Sequence, residues 1–142
     1  MPETEAALLD WSFVSAQLEN ATHYWLTTIA TDGRPHSVPV WGLWYGNRLH
    51  FEGRPQAAWA RNLLRDPRVT AHPPEPEQVV MLEGRARVIQ DDELTGQEWA
   101  ELDGRFQTKY RTGTGSPYWC IEPTKVIAWD GGLLDTMTRW IF

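Results

Sequence analysis

The chain has few of the features on which disulfide-rich, membrane-spanning and nucleic-acid-binding proteins depend. Its 142 residues include a single cysteine, Cys120, which cannot form an intramolecular disulfide. No apolar run approaches the roughly 20 residues that cross a bilayer, and the mean hydropathy is -0.48. Lys and Arg number 13 against 19 Asp and Glu, so most of the surface would repel a polyanion. We therefore expect no membrane insertion and no nucleic-acid partner.

The N-terminus lacks the pattern of a secretory signal. Residues 1–7 carry acids where a signal peptide has basic and then apolar residues. A chain of this length with 42% hydrophobic residues matches one ordinary domain that encloses its own core. The sequence thus predicts a single domain over residues 1–142 in the cytoplasm.

Tryptophan, in contrast, is abundant. Nine tryptophans are more than core filling usually demands in a chain this short. Trp is favoured where a flat apolar face must be covered, either on a partner subunit or on a ring-shaped ligand. The composition therefore suggests an aromatic surface with a binding role.

Hydrophobic periodicity predicts a mainly β, α+β domain with three helices. Alternating runs rich in aromatic and β-branched residues predict strands at 24–31, 36–44, 48–52, 68–72, 78–90, 118–122, 125–129 and 136–142. Helical spacing predicts helices over 12–18, over 56–65, and along an apolar stripe from Leu94 to Tyr110 whose N-cap lies within 91–93. The sum is an antiparallel barrel of six to eight strands that begins with a three-stranded meander.

Two local signals refine the first strands. Asp32-Gly33 predicts a hairpin turn in which both residues have positive φ. Pro39 removes one N–H from the second strand, which indicates either an edge strand or bulge, or backbone groups left free to meet a planar ligand.

The segment best able to hold a ligand is the end of the third strand with the helix that follows it. A helix N-terminus offers unpaired N–H groups, Gly53 lets backbone approach closely, and Arg54 and Arg61 can add charge-assisted hydrogen bonds. These features predict a phosphate pocket, and the alternative is a simple chain turn with two solvated arginines.

Other kinds of site are poorly supported. The histidines at 23, 36, 50 and 72 have no i,i+4 pair and no cysteine partner, so no metal site is predicted. Cys120 lies in an apolar strand, where a thiol is more often inert packing than a nucleophile. The pairs Gly113, Gly115 and Gly131, Gly132 lack the strand-to-helix context of a dinucleotide fingerprint. No catalytic residue is identified, and His36 and Tyr45 are candidates for a general acid only by residue type.

The order of several segments resembles a known family. The segments are Tyr24-Trp-Leu-Thr-Thr-Ile-Ala-Thr-Asp-Gly-Arg-Pro-His-Ser-Val-Pro-Val-Trp41, Arg48-Leu-His-Phe51, Ala60-Arg-Asn-Leu63, Arg65-Asp-Pro-Arg-Val69, Val79-Val-Met-Leu-Glu-Gly-Arg-Ala86 and Thr138-Arg-Trp-Ile-Phe142. Together they resemble the pyridoxamine 5'-phosphate oxidase-like FMN-binding split barrels. Within that family they resemble the branch, common in actinobacteria, that uses FMN or the deazaflavin coenzyme F-420.

This resemblance implies a homodimer that binds its cofactor in a groove between the two barrels. It implies an oxidoreductase that moves hydride between FMN or coenzyme F-420 and a small organic substrate. The cofactor-binding residues that it implies by position are His36, Val38, Trp41, Gly53, Arg54, Trp59, Arg61, Asn62, Arg139 and Trp140. Of these, Arg139 and Trp140 would close the groove.

The sequence also departs from that family. Many relatives have a hydroxyl residue at the end of strand three and Ser-Arg-Lys at the helix start, where this chain has Gly53 and Ala57-Ala58-Trp59. Trp41 replaces the basic residue that often ends the second strand. These departures support an alternative, a module that kept the dimeric barrel but lost the cofactor or binds another ligand. Haem binding also occurs in split barrels, but no histidine here stands out as an axial ligand.

Overall fold

The computed structural model of the chain describes residues 9–111, 118–131 and 133–142. The glycines at 113, 115 and 132, for which no dinucleotide fingerprint was predicted, lie outside these residues. Of the three helices in the described ranges, none is both long and apolar enough to span a membrane.

Eight strands and three helices make up the described fold. The strands are β1 (Tyr24–Ile29), β2 (Pro35–Val40), β3 (Gly42–Tyr45), β4 (Arg48–Glu52), β5 (Arg68–His72), β6 (Gln78–Val88), β7 (Tyr118–Asp130) and β8 (Leu133–Ile141). The helices are α1 (Trp11–Asn20), α2 (Ala58–Arg65) and α3 (Gly96–Tyr110). The sequence-based prediction of an α+β barrel with three helices is confirmed.

The strands form one curled antiparallel sheet, in the order β2-β1-β5-β6-β7-β4-β3, with β8 paired to β7. Strands β2 and β3 are separated by Trp41 alone, yet they lie at opposite ends of this order. The chain therefore leaves one edge of the sheet and enters the other at Trp41, which is where the barrel is split.

Two hydrophobic clusters lie on opposite faces of the sheet. The larger cluster fills the barrel and includes Phe51, Trp59, Trp119 and Trp140. The smaller one lies between the outer face of the sheet and α3, and its buried members are Leu43, Ile89, Leu102, Phe106, Tyr118 and Cys120. Helix α3 is therefore attached to the outside of the barrel by a separate set of contacts.

Three local predictions are wrong. The predicted strand 36–44 is two strands separated by Trp41, although β2 pairs with β1 and β3 pairs with β4 as the predicted meander requires. The segments 118–122 and 125–129 are one strand, β7, which pairs with β6 along its whole length through an irregularity between Glu83 and Gly84. Helix α3 begins later than expected, since Thr95 is its N-cap and forms a capping box with Glu98.

The turn at Asp32-Gly33 also differs from its prediction. Only Gly33 has positive φ, and the Ala30 carbonyl accepts from its N–H at 2.9 Å, which makes a longer hairpin loop. The tight turn with two positive φ values lies instead at Gly46-Asn47, between β3 and β4. Pro39 lies on the terminal strand of the sheet order, as the edge-strand interpretation expects.

Candidate functional site

A cleft of about 740 Å³ opens where the barrel is split. The end of β2 forms one side, and the end of β4 with the start of α2 forms another. Helix α3 contributes one residue from outside the barrel. The lining residues are Pro39, Val40, Trp41, Glu52, Gly53, Arg54, Gln56, Ala57, Trp59 and Phe106.

Trp41 provides an exposed aromatic wall. Its indole is 55% exposed although it is held in place, because it stacks on Tyr110 of α3 with ring centroids 4.8 Å apart and planes within 5°. An indole that is stacked on one face and open on the other can accept a planar ligand at little cost in side-chain entropy. The split of the barrel creates this position, since Trp41 belongs to neither strand that it joins.

Gly53 and Trp59 fit together closely beside this wall. A Cβ at position 53 would lie 1.9 Å from Cζ2 of Trp59, so the indole occupies the space that a side chain would need. Trp59 is only 7% exposed and packs edge to face on Phe51 and Trp119, with centroids 5.2 and 5.4 Å apart. The glycine is required by this packing, and Trp59 presents only an edge to the cleft.

The start of α2 offers main-chain donors to the cleft. Its N-cap, Ala57, has no side chain that could accept from the first-turn N–H groups. Arg54 is exposed and, within the described residues, has no hydrogen-bond or ion-pair partner for its guanidinium. Glu52 also lines the cleft and carries the opposite charge. The positive potential is therefore local, centred on Arg54 and the end of the helix.

The structure brings four of the ten predicted site residues together in the cleft, namely Trp41, Gly53, Arg54 and Trp59. His36 and Val38 lie earlier on β2 and are half-buried. Arg61 is exposed on α2 but does not line the cleft.

Asn62 has a structural position instead. It is buried, donates to Oγ1 of Thr28 at 3.0 Å and accepts from Arg65 at 3.3 Å. These contacts join α2 to β1. The amide that the resemblance assigned to a phosphate is therefore engaged within the chain.

Arg139 and Trp140 point to opposite faces of β8, as neighbours on a strand must. Trp140 is 1% exposed and packs against Trp11 in the barrel core, with centroids 5.3 Å apart. Arg139 is exposed on the outer face opposite Ile127. Neither lines the cleft of its own chain, and Trp140 is a core residue where a groove residue was expected.

The two candidates for a general acid lie outside the cleft. Tyr45 donates to Oε2 of Glu101 at 3.0 Å, and this hydrogen bond raises the pKa of the tyrosine. Nδ1 of His36 is shielded and has no partner among the described residues. Those residues also contain no group of three His, Cys, Asp or Glu side chains that could hold a metal ion.

The sequence-based prediction missed the residues that α3 contributes. Phe106 lines the cleft and Tyr110 stacks on Trp41, whereas the apolar stripe assigned both to packing against the sheet. A helical stripe shows which residues face the protein but not which part of the protein they meet. No signal in the sequence links α3 to the end of β2.

Comparison with known proteins gives one family match. A family model described as pyridoxamine 5'-phosphate oxidase matches residues 12–130. No curated protein sequence matches the chain.

Several solved structures share the fold. A conserved hypothetical protein of Mycobacterium tuberculosis has 18% identity and a TM-score of 0.70, covering 90% of this chain and 89% of its own. An F420 reductase has 21% identity and a TM-score of 0.59, covering 79% and 94%. The heme storage protein HutZ of Vibrio cholerae has 18% identity and a TM-score of 0.65, covering 84% and 92%. At these identities the likeness shows the fold alone.

Proposed function

Because the chain belongs to the pyridoxamine 5'-phosphate oxidase family, we propose that it is an oxidoreductase that uses FMN or the deazaflavin coenzyme F-420 to move hydride to or from a small organic substrate. The observation that supports this proposal is the set of residues that line the cleft. An exposed, stacked indole lies in the same cavity as a helix N-terminus and an exposed arginine. A ring-bearing anion requires both kinds of contact.

The cleft residues fit such a cofactor, but they offer fewer side-chain ligands for its phosphate than the resemblance implies. Trp41, Pro39 and Phe106 form an apolar wall for a planar ring. Arg54 and the N–H groups at the start of α2 can bind the anionic end. The basic side chain expected at position 59 is absent, because the indole there is part of the core. Binding therefore relies on fewer side-chain donors and more on stacking.

The residues of the chain would place the reactants and exclude water. The cofactor, once bound, supplies the hydride chemistry. The Trp41–Tyr110 pair orients the ring, and Arg54 together with the start of α2 holds the anion at a fixed distance from it. The apolar lining from Pro39, Val40 and Phe106 keeps the reacting face dry, which strengthens the electrostatic contacts nearby.

Equilibrium dialysis against FMN and against coenzyme F-420 would test this proposal. Arg54→Ala is expected to weaken binding about 10- to 100-fold, since a hydrogen bond to a charged group is worth about 1.5–3 kcal/mol. Ala57→Asp should also weaken it, because the new carboxylate caps α2 and repels the anion. Arg34→Ala is the control, since Arg34 is exposed and pairs with Asp32 away from the cleft. Wild-type protein that binds neither cofactor would contradict the proposal.

We also propose that the protein is a homodimer formed through the outer face of β6, β7 and β8. This face carries Val79, Met81, Ile127, Trp129, Met137 and Ile141, and Met137 is 45% exposed. Monomeric proteins rarely expose a contiguous apolar surface of this kind. Arg139 lies on the same face, so a second copy would cover it and could use it to complete the partner's cleft.

Light scattering tests the dimer. The wild type is expected to have twice the 16.4 kDa mass of the chain, and Met81→Arg with Met137→Arg should convert it to a folded monomer. Leu64→Arg is the control, because Leu64 is also apolar and is even more exposed but lies on α2. A wild type that stays monomeric at every concentration would contradict the interface.

One observation favours the second candidate function, a barrel that lost the cofactor or binds another ligand. Trp59 fills the space above Gly53, where the resemblance implies a phosphate site. Such a module would form the dimer but bind neither FMN nor coenzyme F-420. Haem is less well supported, because no histidine is among the described residues that line the cleft.

A further inference from the structure

The C-terminal turn of α3 is hydrogen-bonded to the chain where the barrel is split. Tyr110 Oη accepts from the Gly42 N–H at 2.8 Å and can donate to the Gly42 carbonyl at 2.7 Å or to the Thr22 carbonyl at 3.0 Å. Nζ of Lys109 donates to the same Gly42 carbonyl at 2.8 Å and to Tyr24 Oη at 3.0 Å. The residue next to Trp41 is thus bonded at both its N–H and its carbonyl.

Lys109 is a half-buried cation, and the part of the chain that the structure describes places no anion beside it. Its ammonium lies 4.9 Å from the Tyr24 ring centroid and 5.2 Å from the Tyr110 ring centroid. Within the described residues no carboxylate forms an ion pair with it, and Glu19 of α1 is the acid that acts on the neighbouring Tyr24 hydroxyl. Burial lowers the pKa of Lys109 from 10.5 to about 8 and raises that of Tyr24.

We infer that Lys109 and Tyr110 are positioning residues that hold Trp41 as the ring-stacking wall of the cleft, and that the Lys109 charge makes this wall selective for an anionic ring. The inference rests on the proposed function for the nature of the ligand. The positioning itself rests on the contacts between α3 and the Trp41–Gly42 corner.

Helix α3 fixes the position of Trp41 through contacts at its C-terminal end. Phe106, one turn before Tyr110, anchors α3 in the smaller cluster and also lines the cleft, so the helix end has little freedom. The Tyr110 ring then fixes the plane of the Trp41 indole by stacking. Lys109 leaves a positive charge behind this pair, and no carboxylate of the described residues forms an ion pair with it. In a partly desolvated site such a charge favours a ring that carries or gains negative charge.

The first test uses the ligand-free protein. The chain has only two lysines, Lys109 and Lys125. Labelling of the lysine side chains therefore gives two NMR signals, and the signal that Lys109→Met removes belongs to Lys109. Fluorotryptophan labelling reports on Trp41, whose signal is assigned by Trp41→Phe. The Trp41 signal is expected to shift with pH at the titration of Lys109, near pH 8, and to move in Tyr110→Phe. A Trp41 signal that ignores pH and both substitutions would overturn the positioning role.

The second test measures cofactor affinity between about pH 6 and about pH 9.5. Wild-type affinity is expected to fall about four- to fifteenfold across the titration of Lys109, as for a unit charge acting over roughly 10 Å at an effective dielectric of about 20–40. Lys109→Met should bind weakly at every pH. Lys109→Arg should lose the pH dependence, because guanidinium stays charged. Arg34→Ala is the control, since it also removes a positive charge but lies between β1 and β2, outside the cleft, where it pairs with Asp32.

The two tests separate the inference from the proposed function. If Trp41 responds to Lys109 but neither cofactor binds, the positioning role stands and the proposed function fails. If a cofactor binds with the same pH dependence in wild type and Lys109→Arg, the selectivity assigned to Lys109 is wrong.

Discussion

Trp59→Lys is expected to lower the free energy of unfolding by about 3–5 kcal/mol, the range for truncating a buried aromatic residue. The indole is almost fully buried between Phe51 and Trp119, so its loss leaves a cavity beside two other aromatic rings. The lysine would also have to bury part of its stem or extend its ammonium into the cleft. The double variant Trp59→Lys, Ala57→Ser, which restores the expected phosphate ligands, therefore tests folding as much as binding.

Urea unfolding monitored by circular dichroism measures this change. Trp41→Lys is the matched control, because the same substitution at an exposed indole should cost about 1 kcal/mol or less. If Trp59→Lys also costs less than about 1 kcal/mol, the Trp59 indole is not part of the core.

Gly53→Ala examines the same contact from the other side. The new methyl group would overlap the Trp59 indole, and overpacking of this kind costs about 1–3 kcal/mol. Gly104→Ala is the control within α3, where a Cβ meets nothing within 4 Å and alanine should stabilise the helix by about 0.5–1 kcal/mol. The same chemical change thus has opposite signs at the two sites.

Acidification from pH 6.5 to pH 4 is expected to lower the stability by about 3 kcal/mol through His50. Burial lowers the pKa of this histidine from 6.5 to about 4, and only 5% of it is exposed. Its Nε2 contacts the Tyr45 carbonyl at 3.1 Å, and its Nδ1 has no partner among the described residues. The folded state therefore holds the neutral imidazole.

The sign follows from the direction of this pKa change. Between pH 6.5 and pH 4 the unfolded chain binds a proton that the folded chain does not, so stability falls as the pH falls through this window. Asp66, Glu93 and Glu101, whose pKa values are lowered by hydrogen bonds from arginines, lose their contributions only below their ordinary values of 3.8–4.5. The two effects therefore overlap only below about pH 4.5, and the change in stability between pH 6.5 and pH 4.5 reports on His50.

His50→Gln isolates the histidine, because a glutamine amide can still donate to the Tyr45 carbonyl but does not titrate. Unfolding free energies measured by urea at several pH values should fall steeply in the wild type between pH 6.5 and about pH 4.5 and remain nearly flat in the variant. Equal slopes would contradict the burial of His50. Because His50 shares the outer face with Cys120 beneath α3, acid should also loosen the helix that carries Phe106 into the cleft.

The strands, the helices and the pairing of the first strands could be predicted from local patterns, but the closure of the sheet could not. Alternation in 68–72 and 78–90 identified β5 and β6 within two residues. The break in the predicted strand 36–44 was missed, because the single residue Trp41 carries the chain between opposite edges of the sheet. That connection depends on closure of the whole sheet, which no short window contains.

In the candidate site, too, some features are determined by the local sequence and others by the tertiary structure. Gly53, Arg54 and the start of α2 are consecutive in the chain, so the sequence alone determined that a glycine, a guanidinium and a helix N-terminus meet in one place. The assignment of Asn62, Trp59 and Trp140 to the interior depended on which face each side chain meets once α2 and β8 are packed. Only the tertiary structure decided this, and only it brought the end of α3 to Trp41, because contacts between distant segments arise from burial of the whole core and not from local propensity.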